Sequence, residues 1–112
     1  MKKKPSRKTQ KNKCDKLWSQ IIRSKVQCEA CGKPGNNPHH VIGRSNHNLR
    51  WDLRNGCLLC PACHFEVHNN PIKFMDWFSD WRKDDCEYLR KKQNEFWDKD
   101  YDKVLKYLKE AE

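Results

Sequence analysis

The sequence predicts a small α+β domain that relies on metal for part of its stability, and three observations point there. The chain has 112 residues, 36% of them hydrophobic and 35% charged, which suits one domain with a thin apolar core. Short apolar runs suited to strands sit between stretches of helical apolar spacing. Two Cys-x2-Cys knuckles, Cys28/Cys31 and Cys60/Cys63, are separated by 28 residues, and metal is a usual staple for a domain with little to bury.

Each element follows in order. Residues 1–12 carry no periodic apolar signal and contain Pro5, so they read as a disordered basic arm. From Asp15 to about Val26, the residues Leu17, Trp18, Ile21, Ile22 and Val26 recur at helical spacing. Asp15 sits where a carboxylate favours a helix N-terminus. Residues 27–38 form a loop around the first knuckle. His40-Val41-Ile42 suits a strand, and residues 43–56 are polar with Trp51 and Leu53 as anchors. Asn55-Gly56 is a turn signal, and Cys57 to Cys60 reads as a second strand. Pro61 suits the first position of a helix reaching about His68, which Asn69, Asn70 and Pro71 end. Phe74, Trp77, Phe78 and Trp81 form a core-facing helical stripe, and further helices follow around Tyr88–Trp97 and Tyr101–Leu108. The expected organisation is an arm (1–12), a core (13–82) and a helical extension of the same domain (83–112).

The net charge of +9 is unevenly spread: residues 1–16 hold eight Lys/Arg against Asp15, and residues 84–112 hold seven against nine acidic groups. A basic head suits a polyanion, with Lys2, Lys3, Lys4, Arg7, Lys8, Lys11 and Lys13 as a phosphate-seeking arm. A merely solvating tail is the plainer alternative. The chain opens with no secretory signal and contains no apolar run of membrane-spanning length. The expected setting is a reducing cytoplasm, where paired cysteines bind metal more often than they form disulfides. The odd count of seven cysteines agrees.

The chemistry lies between residues 28 and 68. Zinc takes four soft, tetrahedral ligands, which two facing knuckles supply. Cys57 also stands in Cys-x2-Cys register with Cys60. The preferred reading makes Cys57 a buried strand residue, because Cys60 and Cys63 leave a helix start to close the site. Cys14 and Cys86 lack a partner at ligand spacing and read as packing residues. His64 and His68 are four apart, so on a helix they share a face and form a two-point clamp for a cation. His39 and His40 are adjacent, and on a strand they point to opposite faces. One can then bind a cation while the other takes a proton from water.

Those residues, in the run CEACGK…HHVIGRSN…DLRNGCLLCPACHFEVH, resemble the HNH endonuclease motif in its cysteine-flanked form. The likeness covers about residues 28–68, and the flanking helices are similar to small stand-alone HNH proteins of bacterial viruses. It implies a ββα-metal core with a four-cysteine structural Zn2+, flanked by an N-terminal helix and C-terminal helices. On the same resemblance His40 is the general base and His39, His64 and His68 hold the catalytic cation. Asn55, five residues before Cys60, holds the loop that aims His40, and this spacing favours Cys60/Cys63 as the second knuckle. Arg44, Arg50 and Arg54 lie in the loop between the two strands. In a nuclease Arg44 would stabilise charge developing in the transition state, and Arg50 and Arg54 would grip nucleic acid; the plainer alternative is that they are ordinary loop arginines. The implied activity is metal-dependent hydrolysis of DNA phosphodiester bonds, with Mg2+, Mn2+, Ni2+ or Zn2+ at the catalytic site. Many cysteine-flanked members carry Asp where this chain has His39, and an all-imidazole site takes transition ions more readily than magnesium. The implied partners are DNA and viral packaging or recombination proteins, in a bacterial or phage-infected cell. The alternative is a zinc-stabilised nucleic-acid-binding module without catalysis, which needs the cysteines but has no use for four clustered histidines.

Overall fold

The computed structural model describes residues 5–112, so the expectations for Lys2, Lys3 and Lys4 lie outside the described residues. Helix α1 spans Arg7–Arg23 and begins at Ser6, whose hydroxyl accepts from the Thr9 N–H at 3.2 Å; this is an ordinary serine N-cap. Residues 7–12 are therefore helical, which corrects the disordered reading of that stretch. The cause is continuity: Cys14, Trp18 and Ile22, four apart, bury one face and anchor a helix that the Ser6 cap extends backwards. Asp15 consequently lies in mid-helix, where it has a different partner from the helix terminus.

Strand β1 is Asn37–His40 and β2 is Gly56–Leu59, paired antiparallel with His39 opposite Cys57 and His40 opposite Gly56. The first strand thus ends at the residue from which the apolar run predicts its start. Val41 and Ile42 leave the ladder because Asn55 claims their amides: Val41 N–H donates to the Asn55 carbonyl at 2.9 Å and Ile42 N–H to its Oδ1 at 2.7 Å. The connection carries a short helix α2, His47–Arg50, and a 3-10 turn at Leu53–Asn55. Helix α3 is Pro61–Asn69, with Pro61 at its first position. Then come α4 (Pro71–Trp81), α5 (Lys83–Lys92) and α6 (Tyr101–Glu110). Helix α5 stops short of Trp97, which instead packs at 5.4 Å against both Trp51 and Tyr101. Among the described residues the domain is α+β, with a two-stranded sheet and six α-helices, none long and apolar enough to cross a membrane.

The sheet divides the core in two. Cys57 and Leu59 point to one side, among Phe74, Phe78, Cys86 and Leu89; Leu58 points to the other, among Cys14, Trp18, Ile22 and Leu108. This is the strand alternation expected when both faces are covered. Gly56 shows how tightly α1 lies on its face, since a Cβ there would stand 2.2 Å from Ile22 Cδ1. Helix α4 keeps Phe74 and Phe78 inside but leaves Trp81 59% exposed, so the expected four-residue stripe is only partly a core face.

Candidate metal centres

The first knuckle is shaped by backbone. Gly32 N–H donates to Cys28 O at 2.9 Å, and Gly32 takes φ 81°, a left-handed conformation natural to glycine. Glu29 fastens the knuckle to β2: its N–H donates to Leu58 O at 2.9 Å, and its carboxylate accepts the Leu58 N–H at 2.8 Å. The second knuckle runs from the end of β2 into α3, where Cys60 caps the helix by accepting the Cys63 N–H at 3.4 Å.

The sulfurs of Cys28, Cys31, Cys60 and Cys63 all lie within 4.8 Å of one another, and Cys31 and Cys60 are 3.7 Å apart. A tetrahedron with metal–sulfur bonds of about 2.3 Å has edges of about 3.8 Å. The four thiols are thus spaced to hold a structural metal such as zinc. The Cys63 amide pulls the Cys60 thiol down to about 7, towards the thiolate that a metal needs. Cys57 is fully buried in the core and its thiol is pushed strongly upward by burial. It stands outside the four-sulfur group, which resolves the register in favour of Cys60/Cys63. Cys14 and Cys86 are buried packing residues.

The second cluster forms across the sheet–helix seam. His39, His64 and His68 offer ring nitrogens within 4.8 Å of one another. His64 Nε2 and His68 Nε2 are 3.1 Å apart, on successive turns of α3. Two imidazoles sharing an ion at about 2.0–2.1 Å have nitrogens roughly 3.0–3.4 Å apart, so the spacing suits a common cation. His39 meets them from β1, its ring centroid 5.5 Å from each of theirs and 5.2 Å from Phe74. Burial, helped by the neighbouring imidazoles, lowers His39 to about 4. It is therefore neutral at neutral pH, the form that binds a metal.

His40 points to the opposite face, as adjacent strand residues must. Its ring stacks on Trp18 at 4.0 Å and 10°, and its Nε2 lies 2.9 Å from the Arg50 carbonyl. A carbonyl only accepts, so Nε2 carries the proton and Nδ1 keeps its lone pair. Burial lowers the His40 pKa and so favours that neutral form. Asn55 is fully buried, and besides holding Ile42 N–H it donates to the carbonyls of Ile42 at 2.9 Å and Leu49 at 3.1 Å. It closes the loop behind His40 and presents nothing to solvent.

The three arginines separate. Arg44 is exposed and lines the same cleft as His39, His40, His64 and His68, a space of about 600 Å³. Arg50 is buried, with Nε and Nη2 on the two oxygens of Asp15 at 2.9 and 2.8 Å. Arg54 donates to Asp85 at 2.7 Å and lies 3.8 Å above the Tyr88 ring. The expectation that Arg50 grips nucleic acid is therefore corrected, since Asp15 occupies its buried fork. Arg54 gives Nε to Asp85 and Nη2 to the Asp84 carbonyl at 3.3 Å, and its side chain stays 43% exposed.

Three residues support the site in ways that the sequence does not announce. Trp18 forms the wall behind His40, with its indole N–H anchored on Asp52 O at 3.0 Å. Asp15 holds Arg50, and also accepts from Trp51 Nε1 at 2.8 Å. Arg82 bridges Asp85, the Gly56 carbonyl and the Arg54 carbonyl, at 2.7, 2.6 and 2.8 Å. Apart from the local Arg82–Asp85 pair, these partners lie more than 20 residues away in the chain and leave no local signal. Asp52 accepts from the Arg54 N–H and the Tyr88 hydroxyl. His47, the first residue of α2, stacks on Trp51.

Among known proteins, the chain is similar to a protein described as "Mitochondrial DNA mismatch repair protein mutS homolog" from Sarcophyton glaucum, 33% identical over 55 residues. The match spans 45% of this chain and 6% of the relative's length. No family model matches the chain, and no solved structure matches it.

Proposed function

We propose that the chain is a metal-dependent DNA endonuclease of the HNH kind, with His39, His64 and His68 as the cation site and His40 as general base. One observation carries the reading: a three-imidazole cluster, apart from the four thiols, shares one cleft with a fourth histidine held in a defined tautomer. A binding module braced by zinc needs only the thiols. The succession β1, β2, α3 along the chain also agrees with the ββα core that the resemblance implies.

The chemistry divides among the chain's own residues. The Arg50 carbonyl accepts a hydrogen bond from the Nε2–H of His40, so Nδ1 is the atom available to accept a proton from water. Trp18 and Asn55 position this imidazole; they do not touch substrate. A divalent cation bound by the imidazole cluster would supply Lewis-acid stabilisation of the phosphate and leaving oxygen. Nitrogen-only donors suit Ni2+ or Zn2+ better than Mg2+ or Mn2+, which prefer oxygen. Arg44, exposed and lining the same cleft, would meet a non-bridging phosphate oxygen. The test is supercoiled-plasmid cleavage with a panel of divalent ions, comparing the parent with His40→Ala. The variant should keep its fold and metal content and lose about 10²–10⁴-fold in rate, the usual worth of a general base. Cleavage at the parental rate would remove His40 from this role.

A further inference from the structure

We infer that the N-terminal half of α1 and Arg44 form a fixed phosphate track that leads one strand of duplex DNA into the imidazole cleft. The inference rests on the nuclease reading for the nature of its ligand, but the surface itself is independent of catalysis. Arg7, Lys8 and Lys11 line a cleft of about 470 Å³ that also reaches Arg44. A second, smaller cleft joins Arg44 to His40 and Arg23. The third holds His40, Arg44 and the imidazole cluster. Arg44 lines all three and His40 two, so the three spaces form one path.

The charges along that path are available. Arg7 and Lys8 are exposed, and among the described residues Arg7, Lys8 and Lys11 make no ion pair. Arg44 is 63% exposed and sits 3.8 Å from an Asp15 oxygen whose charge Arg50 already engages at 2.8 Å. These cations stand on a capped helix, so holding them costs little entropy on binding. A flexible arm would have to be ordered. From Arg7 to Asp15 the helix rises about 12 Å at 1.5 Å per residue. That matches about three to four steps of a duplex at 3.4 Å each, a length over which one strand presents several phosphates to one face.

The experiment compares two triple variants of the full chain, made in the His40→Ala background so that the probe survives. Arg7→Gln/Lys8→Gln/Lys11→Gln removes the track. Lys83→Gln/Arg90→Gln/Lys91→Gln removes the same charge from α5, whose residues line none of the three clefts. Affinity for a fluorescein-labelled duplex DNA is followed against salt concentration. The track variant should lower the slope of log K against log salt by about 3, close to 0.9 for each phosphate that is no longer neutralised, and the α5 variant should leave it unchanged. Acetylation footprinting of the His40→Ala chain without further substitution supplies a second readout: bound duplex should protect Lys8 and Lys11 several-fold, and Lys83 and Lys91 not at all. Equal slope losses in the two variants, or unprotected Lys8 and Lys11, would overturn the track. A parent that fails to cleave plasmid would overturn the nuclease reading and leave both of these readouts standing.

Discussion

The residue on which the site's geometry turns is Arg50, although its side chain never faces the cleft. Its carbonyl fixes the tautomer of His40, and its guanidinium is clamped on Asp15 by two hydrogen bonds. Burial alone would raise the Asp15 carboxyl, but hydrogen bonds from Arg50 and Trp51 hold it below the usual carboxylate range. The pair is thus a satisfied one, and its value appears when half of it is taken away. Asp15→Ala leaves a buried guanidinium unpartnered and should cost about 3 kcal/mol in denaturant unfolding of the zinc-loaded protein. Cleavage should fall as well, because the carbonyl behind His40 loses its anchor. An unchanged unfolding midpoint would mean that Arg50 is held by something else. At this scale the sequence is only half readable. The four histidines and four cysteines announce themselves by ligand spacing, whereas Asp15 and Arg50 are 35 residues apart and look like any helix and loop charges.

At the scale of elements, the two-stranded sheet is a partition that sends adjacent imidazoles to different neighbours. His39 goes to α3 and α4, and His40 goes to α1. That separation is legible from strand alternation alone, and α3 is predicted to within a residue because Pro61 and Asn70 punctuate it on both sides. The boundaries of β1 and α1 are not. Val41 and Ile42 look like strand residues until Asn55 draws their amides into the loop, and the polar start of α1 hides a helix held by distant packing. The close approach of α1 to β2 is the most sensitive packing at this scale. Gly56→Ala places a methyl carbon 2.2 Å from Ile22 Cδ1 and 3.0 Å from Trp18. It should destabilise the domain by about 1–3 kcal/mol through overpacking and should slow cleavage by displacing Trp18 from His40. Adding Ile22→Ala should recover part of the cleavage rate. If Gly56→Ala melts and cleaves like the parent, α1 does not brace the sheet as described.

For the molecule as a whole, the division of labour between the two clusters governs behaviour. The four thiols bring the loop before β1 to the junction of β2 and α3, so a metal there would close a loop of chain that carries His39 and would fix the start of the helix that carries His64 and His68. The apolar core consists of two small groups on either side of the sheet, too little to hold that loop shut unaided. Cys28→Ala should therefore lose its zinc and its cooperative unfolding transition together, since metal binding and folding are coupled in such domains. Retention of a parental melting temperature by that variant would mean that the thiols are idle. The imidazoles, by contrast, stand at the edge of an already braced structure and should be dispensable for folding.

The most direct measurement of that division is metal stoichiometry, by elemental analysis and Ni2+ titration, in the parent and in His64→Ala/His68→Ala. Two separate centres predict one tightly held zinc in both proteins and a second titratable ion in the parent alone, with the folded state unaltered. A single ion per chain in both proteins, or loss of zinc and fold from the histidine variant, would contradict it.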